Sequence, residues 1–588
     1  MSEGGVSMKR GAITALAGGL LALLVGCSNA AGPPLPTATA TQIGRSSPSP
    51  AATESAWAPP PHRIQIRTRS DGQAEFYDVV SGDPFIVRGA NYIKLVPAGG
   101  GYQDRLFSTD VWDPVAFRAD MHALASRGYN TVRVFIDSCN DGPTCIANPS
   151  GQGLMGAYLD NLAEGMQIAK DEGVYLQLTS NDIPDHGGYG DLANSEAGDQ
   201  IAGYRNAHML TDSGHRAAAS YWHDLLAGLI QRHAAFDAVL GWQLLNEQWL
   251  FSDQPPLSLT SGMVEASAVG RSYDMSDAAQ KRQMVADSLL AYIYQMSQVI
   301  KAQDPSALVT MGFFAPQFPN PTSIGNHWYV DTASLLKRGS DLDYYDFHAY
   351  PGSDIPLDKI AENFGMVGYK TKPIIMGEVG AFRSQYDSLE AAARATTKWI
   401  ADSCPLGFSG WLYWTYRPAP LAVGDSTWGL VDQDNTLLDL MAPNQWTDPC
   451  TPVEIPTDNL ALSAAIHVSR SLPDQPPQAA ADGDTGTQWG SGDFPPQWIE
   501  LDLGSPHTVR QIRLLTSQYP SGTTDHRLLA AGPGRTFHLA TELAGSTDDN
   551  QWLDFTPDTP LENVQYVRIE TVASPSWVAW KEIQVLGD

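Results

Sequence analysis

The stretches LGWQLLNE (240–247) and KPIIMGEVG (372–380) decide the fold expected for this chain. Each is a short apolar run that ends in polar sequence at a glutamate, and the runs predict buried strands over residues 239–245 and 373–376. Charged residues at the carboxyl ends of buried parallel strands are typical of α/β barrels, which carry their active sites there. The two stretches therefore predict a barrel with its chemistry at one end.

The glutamates that end these runs are Glu247 and Glu378. Two carboxylates at one end of a barrel are what acid/base-assisted cleavage of a glycoside requires. A single glutamate after a strand is more often a helix N-cap or a surface charge. Four further residues at predicted strand ends favour a shared site: Asn246, His348, Tyr350 and Trp414.

Short apolar runs alternate with longer amphipathic segments over residues 62–450, which predicts a (β/α)8 TIM barrel as the catalytic domain. The predicted strands cover residues 85–90, 131–136, 174–179, 239–245, 308–313, 343–348, 373–376 and 410–414. The predicted helices cover residues 114–127, 154–172, 215–233, 278–303 and 389–403. A hairpin over 74–80 and 83–87 is expected before the first strand. Two inserted loops, 181–213 and 248–274, follow strand ends and are expected to line the catalytic face.

The pattern changes after a proline-containing linker at residues 451–458. Short strands with turn signals and no long helix follow, at 498–503, 509–516, 536–541 and 566–571. This pattern predicts a second domain over residues 459–588 with the fold of an all-β antiparallel sandwich.

The amino terminus predicts export and anchoring. Lys9 and Arg10 precede an apolar stretch, 11–25, that is too short to span a bilayer. Residues 1–26 followed by Cys27 resemble a bacterial lipoprotein signal peptide with Cys27 as the lipidated residue, although an ordinary signal peptide with an incidental cysteine has the same pattern. Residues 27–61 are rich in Pro, Ser, Thr and Ala and predict an extended linker. The expected location is the extracellular face of a bacterial cell membrane, periplasmic or surface, with a lipid anchor.

Net charge limits the classes of binding partner, and cysteine content indicates the cellular compartment. The net charge of −29 disfavours nucleic acid, polyanionic sugars and anionic lipid. Besides Cys27, two near pairs predict two local disulfides in an oxidising compartment: Cys139 with Cys145, and Cys404 with Cys450. No histidine stands at zinc-ligand spacing beside them. The chain is expected to be a monomer.

The barrel resembles glycoside hydrolase clan A, and most closely family 5, the cellulase and β-mannanase group. The matching motifs are RGANY (88–92), NTVRVF (130–135), LLNE (244–247), DFHAYP (346–351), IIMGEVG (374–380) and WLYWTY (411–416). The resemblance implies that Glu247 is the general acid/base and Glu378 the nucleophile, on the fourth and seventh strands. It further implies a substrate-binding set of Asn246, Arg133, His348, Tyr350, Trp414 and Asn91.

The resemblance also implies individual roles for this set. Arg133 and Tyr350 would keep Glu378 ionised, and Asn246 would donate to the sugar 2-hydroxyl. His348 is either a buried histidine satisfied by backbone or a partner of the substrate or of the acid/base. Trp414 would stack beneath the reacting sugar. For Asn91, a substrate contact and a turn role are both open.

One motif departs from the family pattern. Where many members carry a histidine after the third strand, this chain has QLTSNDIPDHGGYG (177–190). Asn181, Asp182 or His186 would have to substitute, so the sugar identity is left open.

The carboxy-terminal domain resembles the discoidin, or coagulation-factor type C, fold of family 32 carbohydrate-binding modules. The match rests on NLAL (459–462), ADGDTGTQW (481–489), PQWIELDLG (496–504) and WKEIQV (580–585). The resemblance implies a structural Ca²⁺ on Asp482, Thr487 and Glu582, with a metal-free turn as the alternative, and sugar contacts from Tyr519, Arg527 and Trp577.

These inferences predict a surface-anchored retaining glycoside hydrolase that cleaves a neutral β-mannan or β-glucan without a catalytic cofactor. The alternatives are a non-catalytic glycan-binding surface protein and a transglycosylase that uses the same two glutamates.

Overall fold

The structure is a computed structural model that describes residues 57–69, 72–98, 101–139, 142–314, 318–324, 327–352, 355–418, 420, 426–432, 434–445 and 458–588. The predicted signal peptide, Cys27, most of the first linker, Cys450 and nearly all of the second linker lie outside these residues and stay predictions. Among the helices of the described residues, none has both the length and the apolar character needed to cross a membrane.

Eight parallel strands form a nearly closed barrel. They are Val87–Asn91, Thr131–Phe135, Tyr175–Thr179, Val239–Gln243, an interrupted strand of Val309–Thr310 and Gly312–Phe313, Tyr345–His348, Ile374–Val379 and Phe408–Tyr413. The two halves of the fifth strand pair with the fourth and the sixth, so that the sheet nearly closes on itself. The predicted TIM barrel fold is confirmed.

Helices follow the strands and cover the outside of the barrel. They are Pro114–Ala125, Gly156–Glu172, Asp212–Gln231, Ala278–Gln303, Ala333–Arg338, Leu357–Phe364, Leu389–Ser403 and Thr436–Leu440. The first of them begins where Asp113 accepts hydrogen bonds from the N–H groups of Val115 and Ala116, with a proline at the first helical position. Such local signals explain why the sequence located these elements well.

The predicted hairpin before the first strand is wrong in its pairing. Ile64–Thr68 pairs with Ala74–Asp78 instead, and the expected second arm forms only an isolated bridge at Pro84. Proline has no N–H, so Pro84 adds no donor of its own, and the bridge is flanked by hydrogen bonds from Asp78 N–H to the Asp83 carbonyl and from Phe85 N–H to the Phe76 carbonyl. The hairpin places Ile64 and Phe76 against the barrel interior at the amino-terminal ends of the strands, which closes that end with apolar side chains.

The inserted loops form small elements at the opposite end of the barrel. The first contains helices Tyr189–Ala193 and Tyr204–Leu210, and the second contains the strand pair Met263–Ala266 and Arg271–Asp274. A three-stranded sheet joins Leu250–Phe251, Thr322–Ile324 and Trp328–Val330. A further strand pair is Leu95–Ala98 with Gly101–Asp104. The predicted Cys139–Cys145 disulfide is present.

The carboxy-terminal domain is an antiparallel sandwich. Its strands are Ala465–Val468, Trp489–Gly490, Gln497–Thr516, Gly522–Ala531, His538–Thr547, Trp552–Phe555, Leu561–Ala573 and Ala579–Gly587. Two predicted strands are one, because Gln497–Thr516 runs through both layers and pairs first with Leu561–Ala573 and then with Ala579–Gly587. Its core is mostly aliphatic and includes the buried Trp489 and Trp580.

Candidate active site

The two predicted glutamates lie together at the carboxyl-terminal end of the barrel. Glu378 is near the end of the seventh strand, and Glu247 follows the end of the fourth. One carboxylate oxygen of each lies within 4.8 Å of the other and of a ring nitrogen of His348. The Glu247 side chain is 20% exposed and that of Glu378 is 8% exposed. Two acidic groups are therefore held close enough to act on the same bond, and Glu247 is the more open to solvent.

The buried side chain of Arg133 connects Glu378 to its neighbours in the site. Its side chain is fully buried, and its guanidinium lies 4.9 Å from the centre of the Phe135 ring. Its hydrogen bonds go to Gln243 Oε1 (2.7 Å), Asn91 Oδ1 (2.7 Å), Glu378 Oε1 (2.8 Å) and Asn246 Oδ1 (2.6 Å). Arg133 is fully buried, so the expectation that it contacts substrate is wrong. Its other predicted place, as the cation beside Glu378, agrees with the 2.8 Å hydrogen bond between them.

Tyr350 supplies the second donor to the same carboxylate. Its hydroxyl donates to Glu378 Oε2 at 2.6 Å, and its ring packs on Phe382. Burial, together with the negative charge of Glu378, raises the pKa of Tyr350 well above its ordinary value, so the hydroxyl keeps its proton. Each oxygen of Glu378 thus accepts a hydrogen bond from a fixed donor.

Glu247 has a different environment. Burial raises its pKa above the ordinary value of a glutamate, and the negative charge of Glu378 acts in the same direction. His348 opposes this shift, because its Nδ1 lies 2.8 Å from Glu247 Oε1. Burial disfavours the imidazolium, but the carboxylates of Glu378 and Glu247 outweigh it and raise the pKa of His348. The geometry places His348 against the acid/base candidate rather than against backbone.

A buried carboxylate supports the site from beneath. Asp346 accepts hydrogen bonds from Gln177 and Gln243, both at 2.6 Å, and its other oxygen lies 3.7 Å from His348 Nε2. A Cβ at Gly377 would lie 1.6 Å from Asp346 Oδ1. Only glycine fits before Glu378, which explains the GE pair of the seventh strand.

The other predicted substrate-binding residues differ in how deeply they are buried. Asn246 is half-buried; its Oδ1 accepts from Arg133, which leaves its Nδ2 to donate elsewhere. Trp414 follows the eighth strand, half-buried, with its ring edge-to-face with Phe135 at 6.2 Å. The prediction for Asn91 is wrong in both forms. It is fully buried in the first strand and donates to the Gly377 carbonyl at 2.9 Å, so it braces the site from within.

The trio of Glu247, His348 and Glu378 also has ligand atoms close enough for a metal ion. The atoms are already engaged, since Arg133 and Tyr350 donate to Glu378 and His348 bonds to Glu247. The guanidinium of Arg133 lies 2.8 Å from the Glu378 carboxylate. A metal cation bound to that carboxylate would therefore be repelled by a positive charge close by. These donors fit proton-transfer chemistry better than metal coordination.

The loop after the third strand, whose sequence departs from the family pattern, contributes a buried ion pair. Asp182 Oδ2 lies 3.0 Å from Arg205 Nε, and Asp182 Oδ1 lies 3.0 Å from His208 Nδ1. Burial opposes ionisation of Asp182, but Arg205 and His208 lower its pKa below the ordinary value. Sequence reasoning missed Arg205, because it lies in an inserted loop where no periodic pattern marks a buried residue.

In the sandwich, the predicted metal ligand Thr487 contacts Asp482, and Glu582 contacts the neighbouring Gly483. Thr487 Oγ1 donates to Asp482 at 2.9 Å, and the Gly483 N–H donates to Glu582 Oε2 at 3.2 Å. Glu582 Oε1 is buried without a hydrogen-bond partner among the described residues. Burial, with the charges of Asp482 and Asp484, raises the pKa of Glu582 to about 8. An unpartnered buried carboxylate oxygen beside further oxygen atoms fits a hard cation such as Ca²⁺.

A cavity of about 350 Å³ lies on the sandwich surface. Three aromatic residues at its rim are exposed: Phe494, Tyr519 and Trp577. Gln475 and Gln488 supply polar groups, and none of the described residues that line it is charged. The predicted contact Arg527 is not among them and pairs with Glu542 on a strand. Phe494 was missed, although its place in a Gly- and Pro-rich loop is a usable signal.

Comparison with known proteins matches residues 465–583 to the F5/8 type C domain. This match confirms the discoidin-type resemblance of the carboxy-terminal domain. No curated protein matches the chain. The chain is thus defined as a (β/α)8 barrel with paired carboxylates, followed by an F5/8 type C domain.

Three solved structures show the similarity of each part. The endo-1,4-beta-mannanase from Rhizomucor miehei is 16% identical, with a TM-score of 0.43, over 64% of this chain and 97% of that chain. The exo-beta-1,4-mannosidase Op5Man5 from Opitutaceae bacterium strain TAV5 is 17% identical, with a TM-score of 0.41, over 64% and 62%. The family 32 CBM from C. perfringens NanJ, in complex with galactose, is 21% identical, with a TM-score of 0.19, over 21% and 94%.

Proposed function

We propose that the protein is a retaining glycoside hydrolase that cleaves β-glycosidic bonds in a neutral poly- or oligosaccharide by double displacement. The observation that carries the proposal is the different surroundings of two close glutamates. Glu378 accepts hydrogen bonds from Arg133 and Tyr350, whereas Glu247 faces His348, and burial and the charge of Glu378 raise the pKa of Glu247. Retaining enzymes hold their carboxyl groups about 5 Å apart, and inverting enzymes hold them farther apart.

In the first step, Glu378 attacks the anomeric carbon while Glu247 gives its proton to the leaving oxygen. A covalent glycosyl-enzyme forms on Glu378, and the leaving sugar departs. In the second step, Glu247, now ionised, takes a proton from water, which attacks the same carbon and releases Glu378. His348 lies where it can hold Glu247 in position through both proton transfers. Two inversions at one carbon give net retention.

The substrate class follows from charge and from the domain set. The chain carries a net charge of −29, which repels polyanionic glycans, so we assign a neutral substrate of the β-mannan or β-glucan type. The sandwich cavity with Phe494, Tyr519 and Trp577 is assigned to binding of a neutral glycan, because exposed rings stack on sugar faces. Binding by this domain would raise the local substrate concentration at the barrel.

Two further assignments belong to the same proposal. A lipid on Cys27 would anchor the protein at a bacterial cell surface, with residues 27–61 as the tether. A Ca²⁺ ion would be held by Asp482, Thr487 and Glu582, where it would neutralise the buried carboxylate and fix the loop.

The experiment is sugar release by the protein from a panel of mannans, β-glucans, xylan and galactans. Glu378→Gln is the test variant, and Glu390→Gln, an exposed glutamate on the next helix, is the matched control. We expect release by the wild type and by the control but not by Glu378→Gln. Retention on one glycan with no release from any would instead identify a glycan-binding protein. Products longer than the substrate would identify a transglycosylase.

A further inference from the structure

Arg205 connects the departing third-strand loop to the acid/base. It lies in the inserted helix Tyr204–Leu210 and is 5% exposed. Its Nη1 donates to the backbone carbonyl of Glu247 at 2.8 Å, and its Nη2 donates to that of Asn181 at 3.3 Å. Its Nε is in ion-pair contact with Asp182 at 3.0 Å. One guanidinium therefore ties the segments after the third and fourth strands together.

A column of aromatic rings packs against the same guanidinium. The Arg205 guanidinium lies 4.3 Å above the Trp249 ring. Trp249 packs on Trp328 with ring centres 5.4 Å apart, and Trp328 stacks on Phe314 at 5.3 Å. Trp249 follows the acid/base by two positions, so the column packs against the backbone segment that comes directly after Glu247.

We propose that Arg205 is a positioning residue for the general acid/base, which it acts on through the backbone of Glu247 and the Trp249 column. The inference rests on the proposed function. Arg205 touches the Glu247 carbonyl rather than its carboxylate, so it sets where the acidic proton is and leaves the nucleophile to Arg133 and Tyr350. Misplacing a catalytic group by about 1 Å costs about a hundredfold in rate. Asp182 fixes Arg205 in turn, which gives the departing loop a role.

This role predicts a defect that depends on the leaving group. Protonation by Glu247 matters when the leaving oxygen is basic and matters little when it is stable as an anion. The ratio kcat/KM reports the first step, in which Glu247 acts as the acid. A defect in Glu247 placement should therefore lower kcat/KM for a phenyl glycoside and spare a 2,4-dinitrophenyl glycoside.

The experiment compares wild type, Arg205→Met and Arg205→Lys on 2,4-dinitrophenyl and phenyl β-mannobioside, or on the β-cellobiosides if the protein acts on glucan. For Arg205→Met we expect kcat/KM to fall about 10- to 100-fold on the phenyl compound and less than about threefold on the dinitrophenyl compound. Arg205→Lys should restore part of the difference, because it keeps the charge but not the fork of donors. The dinitrophenyl rate serves as the folding control.

Arg383→Met is the matched control. Arg383 also combines an ion pair, to Asp432 at 2.6 Å, a bond to the Thr427 carbonyl at 3.2 Å and a ring contact with Trp428 at 4.2 Å. Its contacts lead to the segments after the seventh and eighth strands, so any loss should be equal on the two compounds. Equal losses for Arg205→Met, or no loss, would overturn the inference. A wild-type protein that hydrolyses neither compound overturns the proposed function, and the inference with it.

Discussion

Replacing Arg133 with methionine tests how the buried end of the site is held together. Methionine keeps much of the apolar stem but removes the guanidinium from Glu378, Asn91 and Asn246. Gln243 loses the same donor but keeps a hydrogen bond from Thr179 at 2.8 Å. The main consequence is that the nearly buried carboxylate of Glu378 loses its cationic partner.

The magnitude follows from that burial. Removing one partner of a buried ion pair costs about 3–5 kcal/mol, because the remaining charge is left uncompensated. The fully buried Asn91 oxygen also loses its donor, which costs about 1–3 kcal/mol at a fully buried site. Asn246 is half-buried and can turn to water. We therefore expect the free energy of unfolding of the barrel to fall by about 4–8 kcal/mol, the sum of these two costs.

Differential scanning calorimetry at neutral pH is the assay, and the transition of the sandwich is the internal reference. Arg118→Met is the control, since its pairs with Asp171 and Glu172 are at the surface and water replaces them. A barrel transition that moves no further in Arg133→Met than in Arg118→Met would refute the reasoning. It would mean that Glu378 does not depend on this cation for its place in the fold.

Three further predictions concern the proton, the nucleophile and the metal. Because His348 lowers the pKa of Glu247, His348→Asn should move the alkaline limb of the kcat/KM profile of a phenyl glycoside to higher pH, and a shift to lower pH would contradict this. Tyr350→Phe removes a hydrogen bond to the Glu378 carboxylate that is worth about 1.5–3 kcal/mol, so kcat/KM should fall about ten- to a hundredfold. An unchanged kcat/KM would mean that this hydrogen bond does not contribute to the first step. Burial raises the pKa of Glu582 to about 8, so between pH 5 and pH 8 the metal-free folded sandwich holds a proton that the unfolded chain releases. The melting temperature of the sandwich, measured by calorimetry in the presence of a chelator, should therefore fall from pH 5 to pH 8. Glu582→Gln should abolish that slope and any stabilisation by added Ca²⁺, and a slope that survives in the variant would place its origin elsewhere.

The barrel strands were predictable because a parallel strand covered on both faces is a continuous apolar run. The run 374–376 continues as a strand through Glu378 to Val379, beyond its predicted end, because Gly377 lets the buried Asp346 approach. The hairpin was not predictable, since Pro84 lies in the expected arm and only the tertiary pairing of Ile64–Thr68 supplies the true partner.

The site was predictable in its residues but only partly in their roles. Glu247, Glu378, His348 and Tyr350 meet as the strand ends suggested. Whether a residue touches substrate depends on its depth, which a local pattern does not give. Asn91 is therefore a brace rather than a contact.

Arg205 illustrates the other gap between sequence and structure. Its partners Asp182 and Glu247 are far away in the chain, and the loop that carries it has no regular period. Only the folded chain brings such residues together.

The central claim is that Glu378 forms a covalent bond to the sugar. The most direct test is incubation with a 2-deoxy-2-fluoro glycosyl fluoride of the sugar released, which slows both steps and traps the intermediate, followed by mass spectrometry of the intact protein and its peptides. We expect one added glycosyl group, on the peptide that contains Glu378. An active protein that carries no added group, or carries it on another residue, would contradict the account.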